Sequence, residues 1–233
     1  MKKTIVILAC TLALWSCQKS NTPNIMFYDG AAIVKNLEVA RSVLTVLNDI
    51  ILVAPALTDT NLQIGDLLWV NLFIDNDKQI SEDTLFVSEI AFLKVRHSLI
   101  VPTEYGQFAN GATHPIYEAI MWPDNAGNFW IFGFVQTAPQ GQIFDYEMVF
   151  EKKDDELHPT VYIRSRKANN VSGVNRTITS YYGFDLTNLI EEHANKESKT
   201  LSFHVKFLLG LDIEKGEEVF SSFRPSLVTV NIK

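Results

Sequence analysis

The stretch LSFHVKFLL, residues 201–209, decides how the chain is to be read. Leu201, Phe203, Val205, Phe207 and Leu209 alternate with Ser202, His204 and Lys206, a period of two that buries one face of a strand and wets the other. Phe144, Tyr146, Met148 and Phe150 do the same against Asp145, Glu147 and Glu151, so both read as half-buried strands of an antiparallel sheet. Further strands are expected over 116–122, 129–136, 161–166 and 227–232. Turn chemistry at Pro123 to Gly127, at Pro139-Gln140-Gly141 and at Asp154-Asp155 separates them, and short strands at this spacing point to a sandwich. One helix interrupts the pattern: Leu186, Leu189, Ile190 and Ala194 share a face, with Asp185 placed as N-cap.

The first half has another rhythm. Strands are expected over 33–39, 42–53, 66–74, 85–96 and 98–101, with a break at Asn48. Leu68, Val70, Leu72 and Ile74 face one way, but Leu67, Trp69 and Phe73 make the other face apolar too. Such two-sided burial suits a small closed barrel. The apolar phase slips near Ser88 and Glu89, as a bulge would make it do. The polar segment from Gly106 to Thr113 reads as a linker. The expected organisation is a leader over 1–16, a tether over 17–26, a barrel over 27–111 and a sandwich over 112–233.

The N-terminus carries an address. Lys2 and Lys3 precede an apolar run from Thr4 to Leu14, the length of a secretory core and too short for a bilayer span of roughly 20 residues. Leu14-Trp15-Ser16-Cys17 resembles the lipobox of bacterial lipoproteins, in which the cysteine becomes the acylated first residue; Trp15 departs from that pattern. With Cys10 removed and Cys17 acylated, the mature chain holds neither a disulfide nor a free thiol, so thiol chemistry is excluded. Cys17 is thus the expected lipidation site and a membrane the expected partner. Gln18, Lys19 and Ser20 supply no acidic retention or surface-export signal, which favours the periplasmic face of the outer membrane.

Charge and motifs narrow the function classes. Removing Lys2 and Lys3 leaves 18 basic residues against 27 acidic ones, about −9, and such a chain repels phosphate backbones. Nucleic acid is not an expected partner; Arg164, Arg166 and Lys167 read as the outward face of a strand. His97, His114, His158, His193 and His204 share no metal-ligand spacing. Asp75-Asn76-Asp77 opens like a calcium loop, yet Ile80 and Phe86 stand where an EF-hand needs glycine and glutamate. Neither metal nor cofactor is expected, and no nucleophile elbow, P-loop or dinucleotide fingerprint occurs. Glu147 with Glu151, or Glu89 with Glu118, are the carboxylate pairs a glycan hydrolase could use. Trp122, Phe129 and Trp130 flank the 123–128 turn and are the candidate binding surface for a sugar or a protein, or else sheet core.

The leader, the barrel-like half and the sandwich-like half together resemble the NigD-like lipoproteins of gut and oral Gram-negative bacteria. Gly65-Asp66-Leu67-Leu68-Trp69-Val70 and Phe184-Asp185-Leu186 are the segments that carry the similarity. The resemblance implies an OB-like N-terminal domain, a β-sandwich C-terminal domain, a link to a bacteriocin gene cluster and a role at the cell envelope, with no catalytic residues to carry over. The leading expectation is a non-catalytic, lipid-anchored envelope protein that binds a protein or glycan. A bacteriocin self-protection factor and a carboxylate-dependent glycan hydrolase are the alternatives.

Overall fold

The computed structural model describes residues 25–36, 42–45, 50–55, 57, 61–78, 81, 84–105, 113–126, 128–212 and 214–232; at 42–45, 105 and 122–126 only the backbone is described. Cys17, the leader and most of the tether and of the 106–113 linker lie outside these residues.

The first unit is a closed barrel of β1 (Ile25–Asn36), β2 (Ser42–Thr45), β3 (Ile51–Val53), β4 (Leu67–Asp75) and β5 (Thr84–Lys94), joined in the order β1-β2-β3-β5-β4. Its ladders are antiparallel except the parallel pair β3 and β5. Leu68, Val70, Leu72 and Ile74 fill the interior with Val34, Leu52, Leu85 and Val87. The bulge falls where the phase slips: Phe73 opposes Glu89 and Ile74 opposes Val87, so Ser88 is the extra residue, and its hydroxyl donates to the Phe73 carbonyl at 3.2 Å.

β1 starts eight residues before the expected Ile33. Asp29-Gly30 reads as a turn by local chemistry, but pairing with β4 from Ile25↔Asp75 to Ile33↔Leu67 overrides it. Gly30 has a packing reason to be glycine, local to the strand: the Tyr28 ring lies over it, and a Cβ there would meet the Tyr28 hydroxyl oxygen at 2.5 Å. That hydroxyl donates to the Ala31 carbonyl at 3.2 Å.

The second unit is a sandwich. One sheet runs β14-β13-β11-β10-β7 and the other β6-β12-β9-β8. The strands are β6 (Arg96–Leu99), β7 (Val101–Pro102), β8 (Glu118–Ala126), β9 (Phe129–Pro139), β10 (Phe144–Glu151), β11 (Thr160–Lys167), β12 (Asn175–Asp185), β13 (Thr200–Leu211) and β14 (Glu218–Asn231), with α1 (Thr187–His193) before β13. Trp130, Phe132, Phe134, Tyr146, Phe184, Phe203 and Phe207 are among the rings of the core between the sheets. Three ladders are parallel: β7 with β10, β6 with β12, and β11 with β13. The last follows from the route, since the chain leaves β11, forms β12 in the opposite sheet and returns through α1 to run alongside β11.

Several local readings shift. β12 escapes the apolar alternation because Thr177 and Thr179 carry β-propensity without hydrophobicity, while Tyr182 and Phe184 reach the core. The turn expected from Pro123 is displaced: β8 runs on to Ala126 through an irregular register between Met121↔Phe132 and Asn125↔Trp130. At α1 the N-cap position is Leu186, one residue later than expected. Asp185 still closes that end, its carboxylate accepting from the Thr187 amide at 3.0 Å and the Thr187 hydroxyl at 2.6 Å.

The passage between the units is short. Only Val95, almost fully buried, stands between β5 and β6, so the strands at 96–99 and 101–102, within the segment read as barrel, pair into the two sandwich sheets. Ala31, Ile33, Leu67, Val95 and Ile131 form a separate apolar cluster between barrel and sandwich, against which Trp69, Phe129 and Tyr181 pack. Trp69 and Tyr181 stack at 5.8 Å between centroids. The second apolar face of β4 is therefore a seam at Leu67 and Trp69, rather than a consequence of barrel closure. Gly183 marks the closest approach, since a Cβ there would stand 2.2 Å from Leu67 Cδ2.

Candidate partner-binding groove

Among the described residues, β8 is an end strand of the four-stranded sheet, opposite β6, and β14 an end strand of the five-stranded one, opposite β7. Between β8 and β14 the sandwich is open. Two adjoining cavities, of about 370 and 450 Å³, share Met121, Phe223 and Pro225 and run along these edges. Trp130, Val228 and Val230 belong to the floor of the first, and Phe207 to that of the second. The rim carries exposed Tyr117, Ile120 and Leu227 beside Glu118 and Arg224.

β14 is shaped for this opening. Its register with β13 jumps between His204↔Leu227 and Lys206↔Ser222, so residues 223–226 stand out of the ladder. The Arg224–Pro225 peptide is cis. Ser226 turns its carbonyl to His204 Nδ1 at 2.8 Å, and Phe223 points into the core. An edge with a proline and a displaced segment cannot extend the sheet along its whole length.

Behind the groove the two sheets are pinned by a buried polar network. The Gln136 side-chain carbonyl on β9 accepts from the Tyr146 hydroxyl on β10, and its amide donates to Ser165 Oγ at 2.8 Å and to the Pro115 carbonyl at 3.1 Å. Ser165 Oγ in turn donates to the His114 carbonyl at 2.7 Å. Gln136 and Ser165 are fully buried, and leaving such groups unpaired costs about 1–3 kcal/mol each. Burial pushes the Tyr146 phenol far above its usual range, so it donates throughout the physiological pH span. Burial also holds the His114 imidazole below its usual value, opposed by its contact with the Thr137 carbonyl and reinforced by Lys167.

The residues singled out from sequence fall in different places. Trp130 is 2% exposed and is core that also lines the cavity floor. Phe129 packs at the seam, edge-on to His97 at 5.0 Å. Trp122 sits in β8, its side chain outside the described residues. The groove residues on β14 were not singled out, because only pairing with β13 shows which of them leave the ladder.

Of the carboxylates in the hydrolase reading, Glu147 and Glu151 have partners. Glu147 lies 3.7 Å from Arg164, whose guanidinium also holds Glu218 at 2.7 Å. Glu151 accepts from the Tyr162 hydroxyl at 2.7 Å. Burial, and then that bond to Glu151, push the Tyr162 phenol up to about 12. Arg166 lies 3.7 Å from Asp145. Glu89 stands on a barrel strand and Glu118 on the groove rim. Asp75 forms a turn, accepting from the Asp77 amide at 3.1 Å and pairing with Lys78 at 3.1 Å. Among the described residues, no three His, Cys, Asp or Glu side chains are grouped to hold a metal.

By sequence, the chain matches no family profile and no curated protein. By structure it is similar to solved proteins of gut bacteria. An uncharacterised protein from Parabacteroides merdae superposes with a TM-score of 0.66 at 12% identity, over 88% of this chain and 99% of that one. A NigD-like immunity protein from Bacteroides caccae gives 0.51 at 12% identity, over 85% and 92%. A protein of unknown function from Bacteroides vulgatus gives 0.51 at 16%, over 85% and 90%. The resemblance read from the sequence thus holds at the level of the fold, barrel and sandwich together.

Proposed function

We propose that this chain is a non-catalytic protein of the cell envelope, held by lipid on Cys17 at the periplasmic face of the outer membrane, that captures a polypeptide partner in the groove between β8 and β14. The observation that carries the reading is the groove itself: an apolar floor and a mixed polar rim between the two strands that end their sheets, a concave surface of the kind that takes an extended peptide. A glycan is the other ligand that such a rim would accept. The pairing of Glu147 and Glu151 within salt bridges and hydrogen bonds favours a structural role for them over hydrolysis.

A photo-crosslinking residue at Ile120 or Leu227 in intact cells, followed by purification and mass spectrometry, tests this. Both positions should trap the same protein, and a crosslinker at exposed Val174 should not. Equal capture at all three positions, or none at the groove with glycan arrays also blank, would remove the reading. Loss of palmitate incorporation in Cys17→Ala tests the anchor separately.

An immunity-type role is the second reading, favoured by the fold shared with the Bacteroides caccae immunity protein. Deletion should then sensitise the producing strain to the bacteriocin it secretes, and an unchanged survival curve would count against it.

A further inference from the structure

Exposed apolar residues gather at one end of the barrel. Ile25, Met26 and Phe27 open β1 and are 47%, 46% and 56% exposed, and Phe73, the β4 partner of Phe27, is 41% exposed. The rings of Phe27 and Phe73 lie 5.4 Å apart. Ile51 at the start of β3 is exposed, and Phe86 opposes Asp75 at the last β4 pair. Lys78, exposed just after β4, lies 5.2 Å from the Phe86 ring and is paired with Asp75 at 3.1 Å, so the polar rim of this end is internally compensated.

The patch lies at the opposite end of the barrel strands from the sandwich. β1 meets the seam through Ala31 and Ile33, and β4 through Leu67 and Trp69. Phe27 is six residues upstream of Ile33, about 20 Å along the strand. Only seven residues, 18–24, lie between Cys17 and Ile25, so even a fully extended connection of eight residue steps keeps Ile25 within about 29 Å of an acylated cysteine. The apolar end of the barrel is the part of the described fold tethered most tightly to the bilayer.

We infer that this end is a second membrane contact: Ile25, Met26, Phe27 and Phe73 enter the headgroup boundary of the leaflet that holds the lipid. The inference rests on the proposed anchor at Cys17. Exposed apolar clusters of this kind mark contacts, and interfacial binding grows with the apolar area inserted. The barrel then acts as a spacer that holds the sandwich groove away from the bilayer.

The test uses the full-length lipidated protein in phosphatidylethanolamine and phosphatidylglycerol vesicles, with and without brominated acyl chains. Phe27→Cys and Phe73→Cys are each labelled with an environment-sensitive fluorophore; no other thiol competes once Cys17 is acylated and Cys10 removed. Leu157→Cys is the control, 82% exposed beyond the far end of β10, whose first residues lie beside Arg96 at the junction. The labels at 27 and 73 should shift to the blue and lose most of their intensity to bromine, while the label at 157 stays wet. If the protein floats with the vesicles and all three labels are equally wet, the second contact is overturned and the anchor stands. If the protein does not float, the anchor reading fails and takes the contact with it. Near-UV circular dichroism confirms that each variant is folded, and either of the two patch positions suffices.

Discussion

At the residue scale, the polar groups inside the sandwich explain more than the rings around them. Phe134 and Tyr146 stack at 4.3 Å, but many aromatic pairs would fill that space. Gln136 can be satisfied only where Tyr146, Ser165 and the Pro115 carbonyl converge, which sets the two sheets in one alignment. His114 beside this network has a consequence for pH. Because burial holds its folded value below that of the unfolded chain, the unfolded state takes up the proton first. Its contribution is fully present above about pH 6.5 and is lost as the pH falls towards the lower folded value. His193 is shifted in the same direction, again by burial. Chemical denaturation at pH 7.5, 6.5 and 5.5 should show falling stability, with a shallower fall in His114→Gln. An identical slope in that variant would mean that His114 does not carry the effect.

At the scale of elements, the passage of β5 into β6 and the close approach of β4 to β12 determine how the units meet. Gly183 has no room for a Cβ, because Leu67 is wholly buried and cannot swing away. Gly183→Ala should destabilise the protein by about 1–3 kcal/mol, the usual cost of overpacking. Leu67→Ala alone should cost about 2–5 kcal/mol through the cavity it leaves. The double variant should be more stable than the sum of the two losses, since the new methyl enters the space that Leu67 vacates. Strict additivity in denaturant melts would show that the two residues do not share that space.

At the scale of the whole molecule, barrel and sandwich are joined by a single buried residue, Val95, and by a shared apolar cluster, an arrangement that favours unfolding as one cooperative body. Calorimetry should give a single transition with van't Hoff and calorimetric enthalpies equal, despite the two architectures. Leu67→Asp places an unpaired charge in the seam and should split the transition in two or lower it as a whole. Two transitions in the unaltered protein would show that the units unfold independently. The seam also gives the candidate groove a set orientation relative to the barrel end that opens β1.

Much of this was legible along the chain, and the reasons differ by feature. Alternation at 144–150 and 201–209 identified its strands because a pleated sheet with one wet face imposes a period of two. The phase slip at Ser88 revealed its bulge for the same reason, and the β4 sequence showed that both of its faces are apolar. What lies against those faces was not legible: Leu67 and Trp69 cover the sandwich, a contact between segments far apart in sequence. β12 and the first half of β1 formed against weak or contrary local signals, since ladder pairing outweighs the turn chemistry of Asp29-Gly30. The groove belongs wholly to the tertiary structure. Local sequence determined which residues favour extended backbone and which face is apolar, because those preferences act over a few residues. Which edges stay open, and which residues leave the ladder to line the opening, was decided only when distant strands chose their partners.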